Sequence, residues 1–521
     1  MIQMKSFLSV LLILTFSVGA TAQQDSVKTT LQRRQLYFTN IVNVTGYEFA
    51  KQSPLLIGDL MPKQVSVIAL GHQLDKGNLI EAQGSTMSNQ LFLKSEGVTE
   101  IKGINLFGSF SYQKILEDST RFAHQTRNNP TTPYYFGSPA NNHYERSIYD
   151  FNLLAAKKLV DGKLTAGFGL NYQIADHFSN NDPRGSIKEY KLESQLALSY
   201  QVTKHINFGM TYLLGYGQEK FNIGYKNRTY YESLVYPKYV NYLINGYGEP
   251  QPKVSRRNYN NFLNNSGPQL SISVTNTNLG DFYLLGSLRN ETQAYDYRTG
   301  EEITALANYD LVNTTLNLLW INQDFLTGKL STNFTYHNTQ GEDFNRIFLA
   351  KNYLFSGKNL GIISSYAQNL KKASYNYTIG VSNYSEEKID GITGNNVYFN
   401  NLLLKASFGF NRMLMRNRSL AGSLGVANDF NLAKRLSISP ANESYFTREV
   451  ILHDYLYHTA IKYTVEASVN YSFPFFNAMQ SALGLQANYQ INAGMTSLQR
   501  SLTSAPGNDR FSSKISFNLY F

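Results

Sequence analysis

The 521-residue sequence contains no cysteine, and this absence excludes several kinds of site at once. Disulfide frameworks, thiolate metal sites and cysteine nucleophiles are all ruled out. Charged residues make up only 16% of the chain, and there is a single Trp. Beyond residue 22 no stretch approaches about 18 consecutive apolar residues, so we expect no transmembrane helix in the mature chain.

Catalytic and cofactor motifs are missing as well. The sequence has no Gly-rich phosphate loop, no HExxH element and no GxSxG element. His143 beside Glu145, Asp176-His177 and His453-Asp454 could carry acid-base chemistry, but such residues near loop ends are more often solvated. The formal net charge is +10, without a clustered basic block. We therefore expect no enzyme activity, no cofactor or metal site and no nucleic-acid binding.

The first 22 residues have the pattern of a secretory signal peptide. A short start carrying Lys5 precedes an apolar run over residues 6–18, and small residues surround a cleavage position after Ala22. A membrane anchor is the alternative, but the run is shorter than the roughly 20 residues that span a bilayer. The sequence thus predicts export, with residues 1–22 removed.

Apolar and polar residues alternate with period two along most of the remaining chain. The pattern is longest in residues 190–202, 205–216 and 455–473, where Tyr, Leu, Val and Ile share one face. Side chains of a strand alternate between its two faces. The composition includes 38 Tyr and 32 Phe, which supply the interfacial girdles of membrane barrels. An all-β, antiparallel up-and-down transmembrane β-barrel is expected, and a soluble β-sandwich is the alternative.

The last strand supports the barrel. Ile515, Phe517, Leu519 and Phe521 share one face, and polar residues alternate with them. This pattern resembles the C-terminal signal that barrel-insertion machinery reads in outer-membrane proteins.

Connection lengths predict the topology. Tight polar turns lie near residues 160–163, 203–205, 278–281, 326–329, 369–372, 415–418 and 474–477. Longer polar segments at residues 117–145, 221–257, 341–358, 431–448 and 493–510 alternate with them. The alternation of tight turns and longer segments, together with an early hairpin in residues 65–93, gives about 18 strands. Barrels of 16 or 14 strands are the alternatives. Barrels of this class place short turns and termini in the periplasm and long loops outside the cell.

Residues 23–60 lack the alternation and precede the barrel domain of residues 61–521. We interpret them as a periplasmic or luminal segment that folds into the barrel as a small plug. A loosely ordered N-terminal tail is the alternative.

Charged residues on the polar faces of the strands are the candidate lining of the lumen. A barrel of 16 to 18 strands leaves room for an aqueous channel. Both signs of charge are present, so one interpretation is mutual neutralisation and the other is ion selectivity. His458, Lys462 and Glu466 are assigned to one face of a single strand, too far apart to form a catalytic triad. The candidates are Lys191, Glu193, Arg289, Glu291, Lys405, His458, Lys462 and Glu466.

Several short motifs together resemble an uncharacterised family of Bacteroidota outer-membrane barrel proteins. They are the terminal Phe521, the strand motif at residues 108–112 and the Tyr144-Glu145-Arg146-Ser147 stretch, on a background rich in Tyr, Asn and Lys. The resemblance implies an integral outer-membrane location. It implies no activity and no functional residues.

Two functions are compatible with such a barrel. The first is a channel or transporter for small solutes, and the alternative is an accessory or structural subunit of an uptake or secretion complex. Expected partners are outer-membrane lipid and lipopolysaccharide, the barrel-assembly machinery during insertion and possible neighbouring outer-membrane proteins.

Overall fold

Alternating strands close into a barrel in the computed structural model. The structure describes residues 37–521 apart from 231–233, 249, 254–256, 300–301, 371, 439–443, 477–478, 496–497 and 499–503, so the predicted signal peptide lies outside the described residues. The strands are β1 (Val65–Gly77), β2 (Met87–Ile101), β3 (Ile104–Thr120), β4 (Tyr134–Gly137), β5 (Asn142–Leu159), β6 (Leu164–Ser179), β7 (Arg184–Gln201), β8 (Ile206–Gly224), β9 (Tyr242–Asn245), β10 (Gln251–Pro252), β11 (Asn258–Thr277), β12 (Gly280–Thr299), β13 (Glu302–Phe325), β14 (Gly328–Asn345), β15 (Tyr353–Asn369), β16 (Ala373–Asp390), β17 (Asn395–Met413), β18 (Ser419–Ser437), β19 (Ile461–Phe475), β20 (Met479–Gly494) and β21 (Asp509–Tyr520).

The wall is an 18-stranded sheet in which strands that follow one another along the chain are antiparallel neighbours. It leaves out β4, β9 and β10, which form a separate three-stranded sheet. The first and last wall strands close the ring, with Val67 opposite Tyr520 and Leu70 opposite Phe517. The prediction of about 18 strands is confirmed, and the alternatives of 16 and 14 strands are wrong. The early hairpin supplies β1 and β2, because the wall contains both strands.

The two ends of the barrel differ in their connections. At one end, here called the turn end, eight connections of two to five residues join wall strands, and both β1 and β21 have their chain-terminal ends there. The opposite end, here called the loop end, carries the long connections 78–86, 121–141, 225–257, 438–460 and 495–508. Two predicted loops were too long. Residues 341–345 and 353–358 belong to β14 and β15, and β18 continues to Ser437, because the polar residues there pair across the sheet.

The outer face of the wall is apolar. Leu196, Leu198, Met210, Ile379 and Leu424 are each more than half exposed, although they are large and hydrophobic. On the last strand, Ile515 is 57% exposed, while Phe517, Leu519 and Phe521 are partly covered. An apolar band around a closed barrel is the surface that lipid covers in transmembrane barrels.

Helices are few in the described residues: α1 (Ile41–Ala50), α2 (Ile57–Leu60) and α3 (Leu452–Thr459), with a π turn at Thr447–Ile451 and 3-10 turns at Pro54–Leu56, Val160–Gly162, Arg228–Tyr230 and Pro237–Tyr239. None of the helices in this part of the chain is long and apolar enough to cross a membrane. The assignment of residues 455–460 to a strand was wrong. Leu452, Tyr455, Leu456 and Thr459 are buried with helical spacing, and β19 begins only at Ile461.

Residues 37–60 lie inside the barrel at the turn end. The side chain of Asn40 caps α1 by accepting hydrogen bonds from the N–H groups of Val42 and Asn43. Ser53 caps the following turn in the same way, and Pro54 occupies its first position. This segment, here called the N-terminal segment, buries apolar side chains against inward-facing residues of the wall. The cluster includes Val42, Tyr47, Phe49, Leu56 and Ile57 from the segment and Phe107, Leu154, Tyr283, Leu319 and Ile321 from the wall.

Candidate functional site

The long loops fold inward and fill the loop end of the barrel. Strand β4 comes from loop 121–141 and pairs with β9 from loop 225–257, which joins the two loops across the lumen. Tyr134 and Phe136 on β4 are completely buried. They pack on aromatic residues of the wall, among which the rings of Phe221 and Tyr259 stack at 4.3 Å. The cluster contains buried side chains from both loops and from the wall, and this packing holds the loops in one arrangement.

Helix α3 and the π turn before it form a second cover at the loop end. These residues, 447–459, are here called the lid. Arg121 bridges the lid to two other loops, with its guanidinium 2.5 Å from Glu449 and 2.7 Å from Ser504. His453 bonds the carbonyl of Ile80 at 2.9 Å and the hydroxyl of Ser504 at 3.0 Å. The lid is thus attached by polar contacts to loops 78–86, 121–141 and 495–508, and it also buries Val450, Ile451, Leu452 and Tyr455 in the hydrophobic cluster of the loop end.

The lid also contains a partly buried carboxyl group. Asp454 accepts a hydrogen bond from the backbone N–H of Ala82 at 2.7 Å. Burial raises the pKa of Asp454 to about 6 from an ordinary value of 3.8. The ionised form is therefore disfavoured in the folded state.

We expect the lid to lose stability as pH rises from about 4 to about 6. The folded state holds the proton of Asp454 in that range while the unfolded state has lost it, and the loss reaches about 2 to 3 kcal/mol at most. Asp454→Asn keeps the acceptor for Ala82 and removes this slope. Hydrogen exchange of residues 447–459 across the pH range, in both proteins, measures the effect. Equal slopes would contradict it.

A buried charge network lies on the inner wall beneath loop 121–141. Arg146 on β5 is fully buried and donates to Glu117 at 2.8 Å, to the carbonyl of Gln125 at 3.0 Å and to Nδ1 of His177 at 3.0 Å. An arginine only donates, so His177 accepts through Nδ1 and carries its proton on Nε2. That proton points to Glu189, at 3.0 Å. Arg127 of the loop adds two hydrogen bonds to Glu117.

Two carboxylates stand side by side next to this network. Glu189 on β7 lies directly opposite Glu219 on β8, and both are buried. Like charges at such positions repel one another. Amide and hydroxyl groups of the loop hold them: Asn128 donates to Glu189 at 2.5 Å, and Thr126 donates to Glu219 at 2.9 Å. A cavity of about 250 Å³ opens below, between the loop and the wall.

Four of the candidates predicted from sequence come together on the inner wall beside this cavity, and two of them, Lys191 and Glu291, line it. The ammonium of Lys191 lies 3.5 Å from Glu193 and 3.4 Å from Glu291. Arg289 lies near Glu193 on the same inner face, and Asn265 donates to Glu193 at 2.7 Å. The two signs of charge face each other at contact distance, and the side chains of Lys191, Glu193 and Glu291 are 33%, 17% and 13% exposed.

The remaining candidates form a separate group on the opposite side. Lys405 pairs with Glu466 at 3.2 Å, and Lys462 pairs with Asp429 at 3.1 Å. His458 was predicted to lie on the same strand as Lys462 and Glu466. This prediction is wrong, because His458 lies on α3. Its ring stacks on Phe399 at 4.3 Å, and Nε2 lies 3.4 Å from Glu81. Within the described ranges, no group of three His, Asp or Glu side chains is arranged to hold a metal ion.

The buried network was not predicted from the sequence. His177 and His453 were expected to be solvated, whereas both are buried, at 0% and 4% exposure. Arg146 was noted only within a motif. A usable signal was present: Arg146, His177 and Glu189 each stand close to a strand end that borders a long or polar loop, on the strand face opposite the apolar one.

The fold and this interior define a transmembrane β-barrel whose lumen contains a folded segment at the turn end and folded loops at the loop end. The chain belongs to the family of unknown function DUF6850, whose model matches residues 54–521. No curated protein sequence matches the chain.

Solved outer-membrane proteins share the barrel at a low level of similarity. The ferric-catecholate import receptor Fiu from E. coli K12 is 10% identical, with a TM-score of 0.40 over 88% of this chain and 82% of Fiu. The outer membrane transporter YddB from Escherichia coli is 8% identical, with a TM-score of 0.38 over 88% and 81%. The copper transporter OprC is 7% identical, with a TM-score of 0.38 over 87% and 80%. At these scores the similarity carries no argument about function.

Proposed function

We propose that the protein carries small polar solutes across the outer membrane and that the structure represents its closed state. The observation that supports this is the polar, charged interior that remains between the N-terminal segment and the loops. An 18-stranded wall encloses more space than side chains alone fill. Cavities of about 220 to 380 Å³ persist inside it, lined by amides, hydroxyls and ion pairs.

The proposal includes an orientation. The turn end and both chain termini face the periplasm, and the loop end with the lid faces outward, as in other barrels of this class. The apolar band contacts outer-membrane lipid and lipopolysaccharide. Ile515, Phe517, Leu519 and Phe521 on β21 serve the barrel-assembly machinery during insertion. Reaction of a thiol reagent with intact cells carrying Val235→Cys, on loop 225–257, tests the orientation.

An accessory barrel of a larger outer-membrane complex is the second candidate. The closure of both ends favours it, because a structural subunit needs no passage. The residues filling the ends distinguish the two functions. A static subunit keeps its closures packed, whereas a transporter must release the lid. The lid combines apolar packing of Val450, Ile451 and Leu452 in the loop-end cluster with polar contacts of Glu449 and His453 to neighbouring loops. Loss of the polar contacts should shift the lid toward the open state only if the protein transports solutes.

We expect Arg121→Ala to increase conductance in a planar lipid bilayer. The substitution leaves Glu449, whose side chain is only 3% exposed, without its cationic partner, which favours the open lid. The wild-type protein should show long closed periods with brief openings, and the variant should be open for most of the record.

Arg435→Ala is the matched control, because Arg435 is an exposed arginine at the same end, paired with Glu387. It should leave conductance unchanged. If wild type, variant and control all insert correctly and remain silent, the transport function is wrong and the accessory function is favoured. Co-purification from native membranes then identifies the complex.

A further inference from the structure

The N-terminal segment fills only one side of the lumen. Its apolar side chains pack on β3, β5, β12, β13 and β15, and its 3-10 turn contacts β5, β6 and β7. The other face of α1, with Ile41 and Val44, borders a cavity of about 380 Å³ along β16 to β21. A second cavity of about 220 Å³ continues this space toward the loop end. The two share Ser423, Ser468 and Asn470 as lining residues.

We propose that solutes pass along this side of the barrel, between α1 and strands β16 to β21, and that the route prefers anions. The inference rests on the proposed transport function. It adds the route of the solute, the residue that sets the ion preference and the segment that moves when the barrel opens. The N-terminal segment then stays in place during transport, and the lid opens.

The size of the wall side chains supports the route. Serine, alanine, glycine and asparagine line it on β17 to β20, including Ser407, Gly422, Ser468 and Ala482. On the opposite side Tyr47, Phe49 and Leu56 fill the space against large wall residues. The asymmetry leaves a water-accessible passage beside the segment and none through its core, because large side chains close the latter at interior packing density.

The charges along the route support an anion preference. Lys514 on β21 lines the second cavity, and its ammonium lies 4.8 Å from the centre of the Phe92 ring. Among the described residues, no carboxylate pairs with Lys514. Among the described residues that line the second cavity, Glu466 is the one carboxylate, and it is paired with Lys405 at 3.2 Å. The cavity therefore carries one unpaired positive charge, which attracts anions and repels cations.

The lid closes the outer end of the route. The ammonium of Lys462 lies 3.1 Å from Asp429 on β18 and 3.3 Å from the carbonyl of Tyr457 on α3. These contacts connect the wall just above Glu466 with the lid. Movement of the lid away from the wall opens the passage at this point, without any change in the N-terminal segment.

Cysteine accessibility tests the route without relying on transport, because the natural chain has no cysteine. Ser468→Cys places a thiol in the passage. Ser199→Cys, on the inner face of β7, places one behind the N-terminal segment, where Ser199 is 4% exposed. We expect a sulfonate-bearing methanethiosulfonate to label Cys at position 468 of the folded protein in detergent at least about tenfold faster than at position 199. Equal rates overturn the route, even for a protein that conducts.

Ion selectivity tests the role of Lys514. Lys514→Glu in the Arg121→Ala background should lower the chloride-to-potassium permeability ratio by about a factor of two or more, measured from reversal potentials in a potassium chloride gradient. Lys514→Gln should give an intermediate ratio. Unchanged ratios in both variants overturn the assignment of Lys514. A silent channel with a reactive Cys at position 468 overturns the transport function and, with it, the use of the cavity as a route.

A reversible lock tests which element moves. A Cβ built on Gly167 of β6 lies 3.1 Å from the Cβ of Pro54. This is slightly shorter than the roughly 3.5 to 4.5 Å found in disulfides, so after a shift of a few tenths of an ångström the pair Pro54→Cys and Gly167→Cys can cross-link the segment to the wall. We expect the conductance of the Arg121→Ala background to be the same before and after reduction. Conductance that appears only after reduction overturns the route, because passage would then require the segment to leave.

Discussion

Replacing Arg146 with alanine is expected to destabilise the barrel by about 3 to 5 kcal/mol, the cost of breaking a buried ion pair by removing one partner. The guanidinium is completely buried, bonds Glu117, Gln125 and His177, and lies 4.6 Å from the centre of the Tyr144 ring. Its loss leaves a buried carboxylate with Arg127 as its remaining partner and removes the contact that orients His177 toward Glu189.

Urea unfolding of the refolded protein in liposomes measures this effect. Arg184→Ala is the matched control, since Arg184 pairs with Asp182 at a partly exposed position at the loop end and should contribute less than about 1 kcal/mol. Protease cleavage within loop 121–141 should also accelerate in Arg146→Ala, because that loop loses its attachment to the wall. A change in unfolding free energy as small as that of the control would refute the structural role of the network.

Much of the wall could be predicted from the sequence because a barrel strand is a local pattern. Every second residue of a barrel strand faces lipid and is apolar. In residues 206–216 the outer face is therefore visible in the sequence, and Phe208, Met210, Tyr212 and Leu214 are all exposed. Tight turns at residues 278–279 and 326–327 carry a polar residue, and each is followed directly by a glycine, Gly280 or Gly328. The number of strands follows from these two signals.

The lid illustrates where that approach fails. Tyr455 and Tyr457 alternate with polar residues and continue the pattern of β19, so residues 455–460 were assigned to the strand. The buried positions Leu452, Tyr455, Leu456 and Thr459 also fit one face of a helix. Short segments are ambiguous between the two periods, and the loop-end aromatic cluster, formed by distant parts of the chain, decides for the helix.

The charge network could not be predicted from the sequence for a related reason. Its hydrogen bonds join residues far apart in the chain, such as Asn129 with Gln293 and Tyr134 with Asp343. Register within the wall brings Glu189 opposite Glu219, but only the inward fold of loop 121–141 buries them. Period-two reasoning identifies which residues face the lumen. It gives no information on which loops enter it.

Acidification is expected to release loop 121–141, and His124 should be responsible for a measurable part of the effect. Burial, with the nearby Arg146 cation as a second cause, lowers the pKa of His124 to about 3 from its ordinary value of 6.5. The unfolded state binds a proton below pH 6.5 and the folded state does not. Stability from this group is therefore complete above pH 6.5 and falls as pH decreases, by up to about 3 to 4 kcal/mol at pH 4.

The surroundings of His124 explain why it stays neutral. Its Nδ1 bonds the hydroxyl of the buried Tyr144, and its Nε2 has no hydrogen-bond partner among the residues that the structure describes, so a proton there would face no acceptor in this part of the chain. Arg146 lies next to the same tyrosine, and Glu117 compensates the arginine without contacting the histidine. A protonated ring in this place is a buried charge beside another of the same sign, which the folded loop cannot accommodate.

His124→Gln provides the comparison, because its amide oxygen can accept from Tyr144 and it does not titrate. Nearby carboxylates titrate in both proteins, so the difference between the two curves of unfolding free energy against pH isolates His124. We expect the curves to run in parallel above pH 6.5 and to converge or cross below it as the wild type loses stability faster. Hydrogen exchange of residues 121–141 at pH 7 and pH 4.5 locates the loss. Curves that remain parallel down to pH 4 would show that His124 accepts a proton in the folded protein and that the loop is held independently of its charge.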